Sequence, residues 1–106
     1  MAATNPPARY RVVYSAFVEK RLEELADKAV ARGDGAAFAT ALAEFRHRLA
    51  IYPQFGDPQI DLTAMPGVVY QGIIRPLSIR YGVFEDRRLV FCGAPPVLLP
   101  MAPPTN

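Results

Sequence analysis

Between Gly67 and Gly93, three short runs rich in β-branched and aromatic residues follow one another: Val68 to Ile74, Ser78 to Phe84 and Arg88 to Cys92. Only Arg75-Pro76 and Glu85-Asp86-Arg87 separate them. Gaps that short join strands running in opposite directions, so the stretch predicts an antiparallel meander. Side chains alternate across a strand, which puts Ile79, Tyr81 and Val83 on one face of the middle run and Ser78, Arg80 and Gly82 on the other. The first set requires a core. The second makes a polar face that is expected to meet solvent, and any function is expected to lie there.

The chain before the meander supplies a cover for that core. Tyr10 to Ser15 has strand composition, and Ser15 suits the N-cap of a helix over Ala16 to Ala31, where Val18, Leu22, Leu25 and Ala29 recur at helical spacing. Gly33-Asp34-Gly35 ends this helix, because glycine tolerates the left-handed conformation that closes a helix and Asp34 favours turns. A second helix is expected over Ala36 to Tyr52, with Phe38, Leu42, Phe45 and Leu49 on one face and Glu44 placed to pair with Arg48. The short connection makes the two an antiparallel hairpin. Pro53 stops the second helix, Phe55-Gly56-Asp57-Pro58 is a turn, and Ile60 to Leu62 is a brief extended piece. After Gly93, Pro95-Pro96 ends the last strand, and the apolar segment Val97 to Met101 has to pack on the domain or on a partner.

Strand, helix, helix and three strands give an α+β fold: a small, mostly antiparallel sheet with a two-helix hairpin on one face. One domain over residues 10–101 accounts for the 106 residues, with residues 1–9 and 102–106 read as flexible tails. No apolar run approaches the roughly 20 residues of a membrane span, and the N-terminus lacks the pattern of a signal peptide, so a cytoplasmic protein with no membrane partner is expected. A single Cys92 and a single His47 offer neither a disulfide nor a metal-ligand cluster, and no cofactor is expected. His47, between Arg46 and Arg48, reads as a solvated helix residue, and Cys92 as a small buried hydrophobe.

Charge is distributed unevenly. Residues 1–66 carry eight basic and eight acidic side chains, whereas the remainder carries Arg75, Arg80, Arg87 and Arg88 against Glu85 and Asp86. The whole surplus of +2 therefore lies on and after the meander, and all of it is arginine, whose planar fork suits phosphate or carboxylate. Gln71, Arg75, Ser78, Arg80 and Arg88 are the candidate partner-binding residues, with Arg80 first because an arginine in mid-strand has no packing purpose. No nucleophile motif, phosphate-binding glycine loop or carboxylate pair stands out.

The order of elements, with Tyr10-Arg11-Val12-Val13-Tyr14-Ser15, Tyr52-Pro53-Gln54-Phe55-Gly56-Asp57-Pro58 and Arg75-Pro76-Leu77-Ser78-Ile79-Arg80-Tyr81-Gly82-Val83-Phe84, resembles the RelE/ParE superfamily of bacterial type II toxin-antitoxin toxins over residues 10–93. The resemblance implies the fold just derived and a toxin neutralised by a cognate antitoxin. RelE-like members are metal-independent endoribonucleases that cut messenger RNA on the ribosome with basic residues on the sheet. On that reading Arg75 and Arg80 are the catalytic candidates. This chain has Ser78 where those nucleases carry arginine, Gln71 and Arg75 where they carry lysines, and Ala94-Pro95-Pro96 in place of an arginine-bearing segment. ParE-like members poison DNA gyrase by binding and lack the nuclease set, so the resemblance favours that activity. RNA cleavage and a non-toxic binding module with the same fold are the alternatives.

Overall fold

The computed structural model describes residues 9–62 and 66–101. Of the tails read at residues 1–9 and 102–106, all but Arg9 lie outside the described residues. Strand β1 (Arg11–Tyr14) leads into helix α1 (Ala16–Ala31) through Ser15, whose hydroxyl accepts the Val18 N–H at 3.1 Å and satisfies a donor that the helix start leaves free. The expected stripe of Val18, Leu22, Leu25 and Ala29 is buried. Gly33 then takes a φ of 87°, the left-handed turn residue, and the Gly33 and Asp34 N–H groups bond to the carbonyls of Val30 and Ala29 at 3.0 and 2.7 Å.

Helix α2 (Gly35–Ile51) buries Phe38, Ala41, Phe45 and Leu49, and Arg48 pairs with Glu44 at 2.7 Å as the spacing predicts. Leu42, expected in the same stripe, is only half-buried: it lines the groove between the helices, and the neighbouring Ala41 is in the core. Pro53–Phe55 forms a 3-10 turn that inserts Phe55 between Phe45 and Tyr81, at ring centroid distances of 5.8 and 6.1 Å. Gly72 allows this insertion: a Cβ there would stand 2.9 Å from both Phe45 and Phe55. The Tyr81 hydroxyl donates to the Pro53 carbonyl at 2.6 Å, tying the turn to the sheet.

The sheet is mixed and six-stranded. Besides β1 it contains β2 (Asp57–Leu62), β3 (Gly67–Ile74), β4 (Leu77–Phe84), β5 (Leu89–Cys92) and β6 (Val97–Leu98), in the order β1-β5-β4-β3-β2 with β6 on β4. β3, β4 and β5 are the expected antiparallel meander, with the cis-linked Arg75-Pro76 as its first turn. β1 joins the edge beside β5 in parallel, as the long connection through both helices and β2 to β4 permits. Two strands exceed the expectation. The piece foreseen at Ile60 to Leu62 is a six-residue edge strand, lengthened across a register shift at Pro58, and the apolar segment after Pro96 pairs with β4 as β6. Both helices cover one face, where Leu77, Ile79, Tyr81 and Val83 of β4 meet the helical stripes in a single core. No helix is long and apolar enough to cross a membrane, among the described residues.

Candidate functional site

Register determines which side chains share the face away from the helices. Opposed residues in a ladder point the same way, so Gln71 accompanies Arg80, Ile73 accompanies Ser78, and Val69 accompanies Gly82. Across the neighbouring strands the same face gains Phe91 opposite Gly82, Val13 opposite Phe91, Ile60 opposite Val69 and Val97 opposite Ser78. Val13, Ile60, Ile73, Phe91 and Val97 are exposed, at 36 to 58%. This corrects the expectation of a polar outer face: it meets solvent, but it is largely apolar, with Arg80 near its middle. Gly82 has no side chain to fill that middle, which leaves a depression of about 340 Å³ bordered by Leu62, Val69, Phe84 and Phe91.

Ser78 is the second correction. It lies on the outer face as expected but is only 3% exposed. Its hydroxyl accepts from Gln71 Nε2 at 3.0 Å, and Val97 of β6 stands opposite it. The cause is a bulge that sequence reasoning did not foresee. β5 and β6 both run antiparallel to β4 on the same edge. From Phe91 to Val97, however, the strand uses two more residues than β4 uses from Gly82 back to Ser78. The surplus falls at Gly93-Ala94-Pro95-Pro96 and is packed beside Arg80. Gln71, Ser78, Arg80, Ala94, Pro95 and Val97 together line a cavity of about 210 Å³. Among the described residues, the backbone N–H groups of Gly93 and Ala94 have no acceptor, and Arg80 has no ion-pair partner.

Three of the candidate residues, Gln71, Ser78 and Arg80, are thus brought together. The other two are placed elsewhere. Arg75 is half-buried at the β3–β4 turn, where its Nη1 donates to the Pro100 carbonyl at 2.8 Å, a contact within the chain. Arg32 makes a matching bond to the Leu99 carbonyl, and the Leu99 N–H donates to Pro76 at 2.6 Å. The C-terminal segment is therefore held by two arginines and a ladder. Arg88 lies at the far end of the meander with a φ of 49°, its guanidinium 5.2 Å from the centre of the Tyr10 ring. Tyr10 in turn accepts from Gln54, whose Nε2 also reaches Glu85 at 2.6 Å.

The titratable groups beneath the sheet are held neutral. Burial pushes the Cys92 thiol up to about 12 and, with Cys92 beside it, the Tyr14 phenol up to about 12. Tyr81 is also raised by burial, against a hydrogen bond from the Gly56 backbone that lowers it. Each is a core group protonated at neutral pH. His47 is exposed on α2, away from the cavity. What the outer face offers chemically is apolar contact and a small cluster of hydrogen-bond donors around one guanidinium.

Two features of the sequence point to this arrangement. Extending the alternation from the middle run to its neighbours puts Val69, Phe84, Phe91 and Val97 on the Arg80 face, and the glycine and two prolines after Cys92 are residues that interrupt a ladder. Comparison of the chain with protein-family models, with curated proteins and with solved structures gives no match.

Proposed function

We propose that the chain is the toxin of a type II toxin-antitoxin pair of the RelE/ParE kind, a cytoplasmic protein that stops growth by binding DNA gyrase and is neutralised by a cognate antitoxin. The observation that supports a binding mode of action is the open sheet face. It is a continuous apolar surface around one arginine, and large exposed apolar patches with polar edges are the hallmark of protein-contacting surfaces. The helical hairpin on the opposite face and the order of elements agree with the fold that the resemblance implies. Cleavage of ribosome-bound messenger is the second reading, favoured by the convergence of Gln71, Ser78 and Arg80 on one cavity. It ranks second because a polyanionic substrate is ordinarily held by several cations set close together, whereas the outer face offers Arg80 near its middle and, apart from it at the edges, Arg11 and Arg87.

The test is controlled expression in a bacterium, scoring colony formation, DNA breaks dependent on gyrase, and the 5' ends of messenger RNA. Growth arrest with gyrase-linked breaks and intact messenger is expected. Messenger cut on the ribosome would replace this reading with the nuclease. Unimpaired growth with folded protein present would leave a non-toxic binding module and overturn the toxin reading.

A further inference from the structure

The cavity beside Arg80 is lined on its polar side by donors. The guanidinium brings five N–H groups in a planar fork. Ser78 Oγ is already the acceptor of the Gln71 bond, which leaves its own O–H to donate, and Gln71 keeps a second amide N–H. The bulge adds the Ala94 N–H group, which has no acceptor among the described residues. Donors around a positive charge with no acidic partner among the described residues call for an anion.

The surroundings identify its source. Around the cavity lie Ile73, Val97 and Phe91, all exposed, and next to it the depression over Gly82. An extended nucleic acid would place further phosphates over these apolar side chains, without a cation for each. A carboxylate carried by a peptide with apolar neighbours matches both parts of the surface, since arginine binds carboxylates through two parallel hydrogen bonds and apolar side chains fill the depression.

We propose that this cavity anchors one glutamate or aspartate side chain of a partner protein segment, with the apolar residues flanking that acid lying over Gly82 and against Phe91. The inference rests on the protein-binding reading above and specifies the chemistry of the partner: an acid set among apolar residues. Arg80 supplies the charge, Gln71 and Ser78 fix the orientation of the carboxylate, and the bulge provides a backbone donor at Ala94.

The experiment is an NMR titration of the purified protein with three probes. They are a capped pentapeptide with a central glutamate flanked by valines and leucines, the same peptide with glutamine at its centre, and a uridine decanucleotide. The glutamate peptide is expected to shift the backbone amides of Ser78, Arg80, Ala94 and Val97. It is expected to bind about tenfold more tightly than the glutamine peptide, and to lose a similar factor in the Arg80→Met variant, the size of one charge-assisted pair. Arg80→Lys, which keeps the charge but not the fork, is expected to fall between. Unchanged amide positions elsewhere in both variants show that the fold is intact. Equal binding of the two peptides, shifts at other sites only, or no shifts at millimolar peptide would each overturn the proposal. Tighter binding of the decanucleotide at these amides would overturn it in favour of nucleic acid. Toxicity is scored separately by growth, so a harmless protein that binds the glutamate peptide through Arg80 removes the toxin reading and leaves this site standing. A toxic protein indifferent to the peptide does the reverse.

Discussion

The two faces of β4 divide the molecule's tasks along a single strand. Leu77, Ile79, Tyr81 and Val83 are at most 2% exposed and meet both helices, whereas Ser78, Arg80, Gly82 and Phe84 point to the face that, among the described residues, no helix covers. The inner set is close-packed, so its members constrain one another and a change in any of them is felt throughout the core. The outer set includes a glycine that leaves a hollow, an arginine without an ion-pair partner among the described residues and a serine roofed by a bulge. A surface assembled this way contributes little to folding, which leaves its composition free to be set by what it binds.

The difference breaks most visibly where a large inner side chain is removed. Phe45→Ala, which empties the space between Phe55 and Gly72, is expected to cost about 3 to 5 kcal/mol, read from the midpoint of urea unfolding. A loss under about 1 kcal/mol would mean that the inner face is not the close-packed one. Alkali tests the same face without mutation. The Cys92 and Tyr14 values in the folded chain lie above their ordinary values of 9.0 and 10.0, so the folded state holds those protons more tightly. Their contribution is fully present below about pH 9 and is lost as the pH rises toward 12. Unfolding midpoints should fall over that window, and Cys92→Ala should flatten the early part of the fall.

The C-terminal segment is where the two faces meet, because Leu98 packs inward and Val97 outward. A chain ending at Gly93 loses β6, the buried Pro96 and the bonds from Arg32 and Arg75, and is expected to be less stable by about 2 kcal/mol. Unchanged melting would make the segment an ornament of the outer face only. Tyr81→Phe sharpens the inner side further: it leaves the Pro53 carbonyl unpaired in a buried place and is expected to cost about 1 kcal/mol. At the small end, Phe91→Ser and Arg80→Met on the outer face are expected to change stability by no more than about 0.5 kcal/mol. Either of them unfolding the protein would erase the distinction between the faces.

Most of the inner face was legible from sequence, because helix and strand periodicities are local properties. Val18, Leu22, Leu25 and Ala29 recur at helical spacing, and Ile79, Tyr81 and Val83 at strand spacing, whatever surrounds them. Leu42 and Ala41 show the limit: both fit the stripe, and only the crossing of the two helices and the sheet chose the smaller one for the buried position. Arg80 on the outer face followed from alternation alone. The loss of Ser78 from solvent did not, because it depends on a segment nearly twenty residues later in the chain folding back onto β4.

The sequence by itself determined the α+β class, the order of the elements, the helical hairpin and which half of β4 enters the core, since each follows from side-chain spacing within a run of neighbours. Only the tertiary structure decided the parallel seating of β1 beside β5, the extension of β2 and the addition of β6, the use of Arg75 and Arg88 as contacts within the chain, and the bulge that gathers Gln71, Ser78 and Arg80 around one cavity. The reason is physical. Backbone hydrogen bonds between strands look alike at every register, so the partner of a strand edge is chosen by the fit of distant apolar side chains, and that fit exists only once the core has assembled.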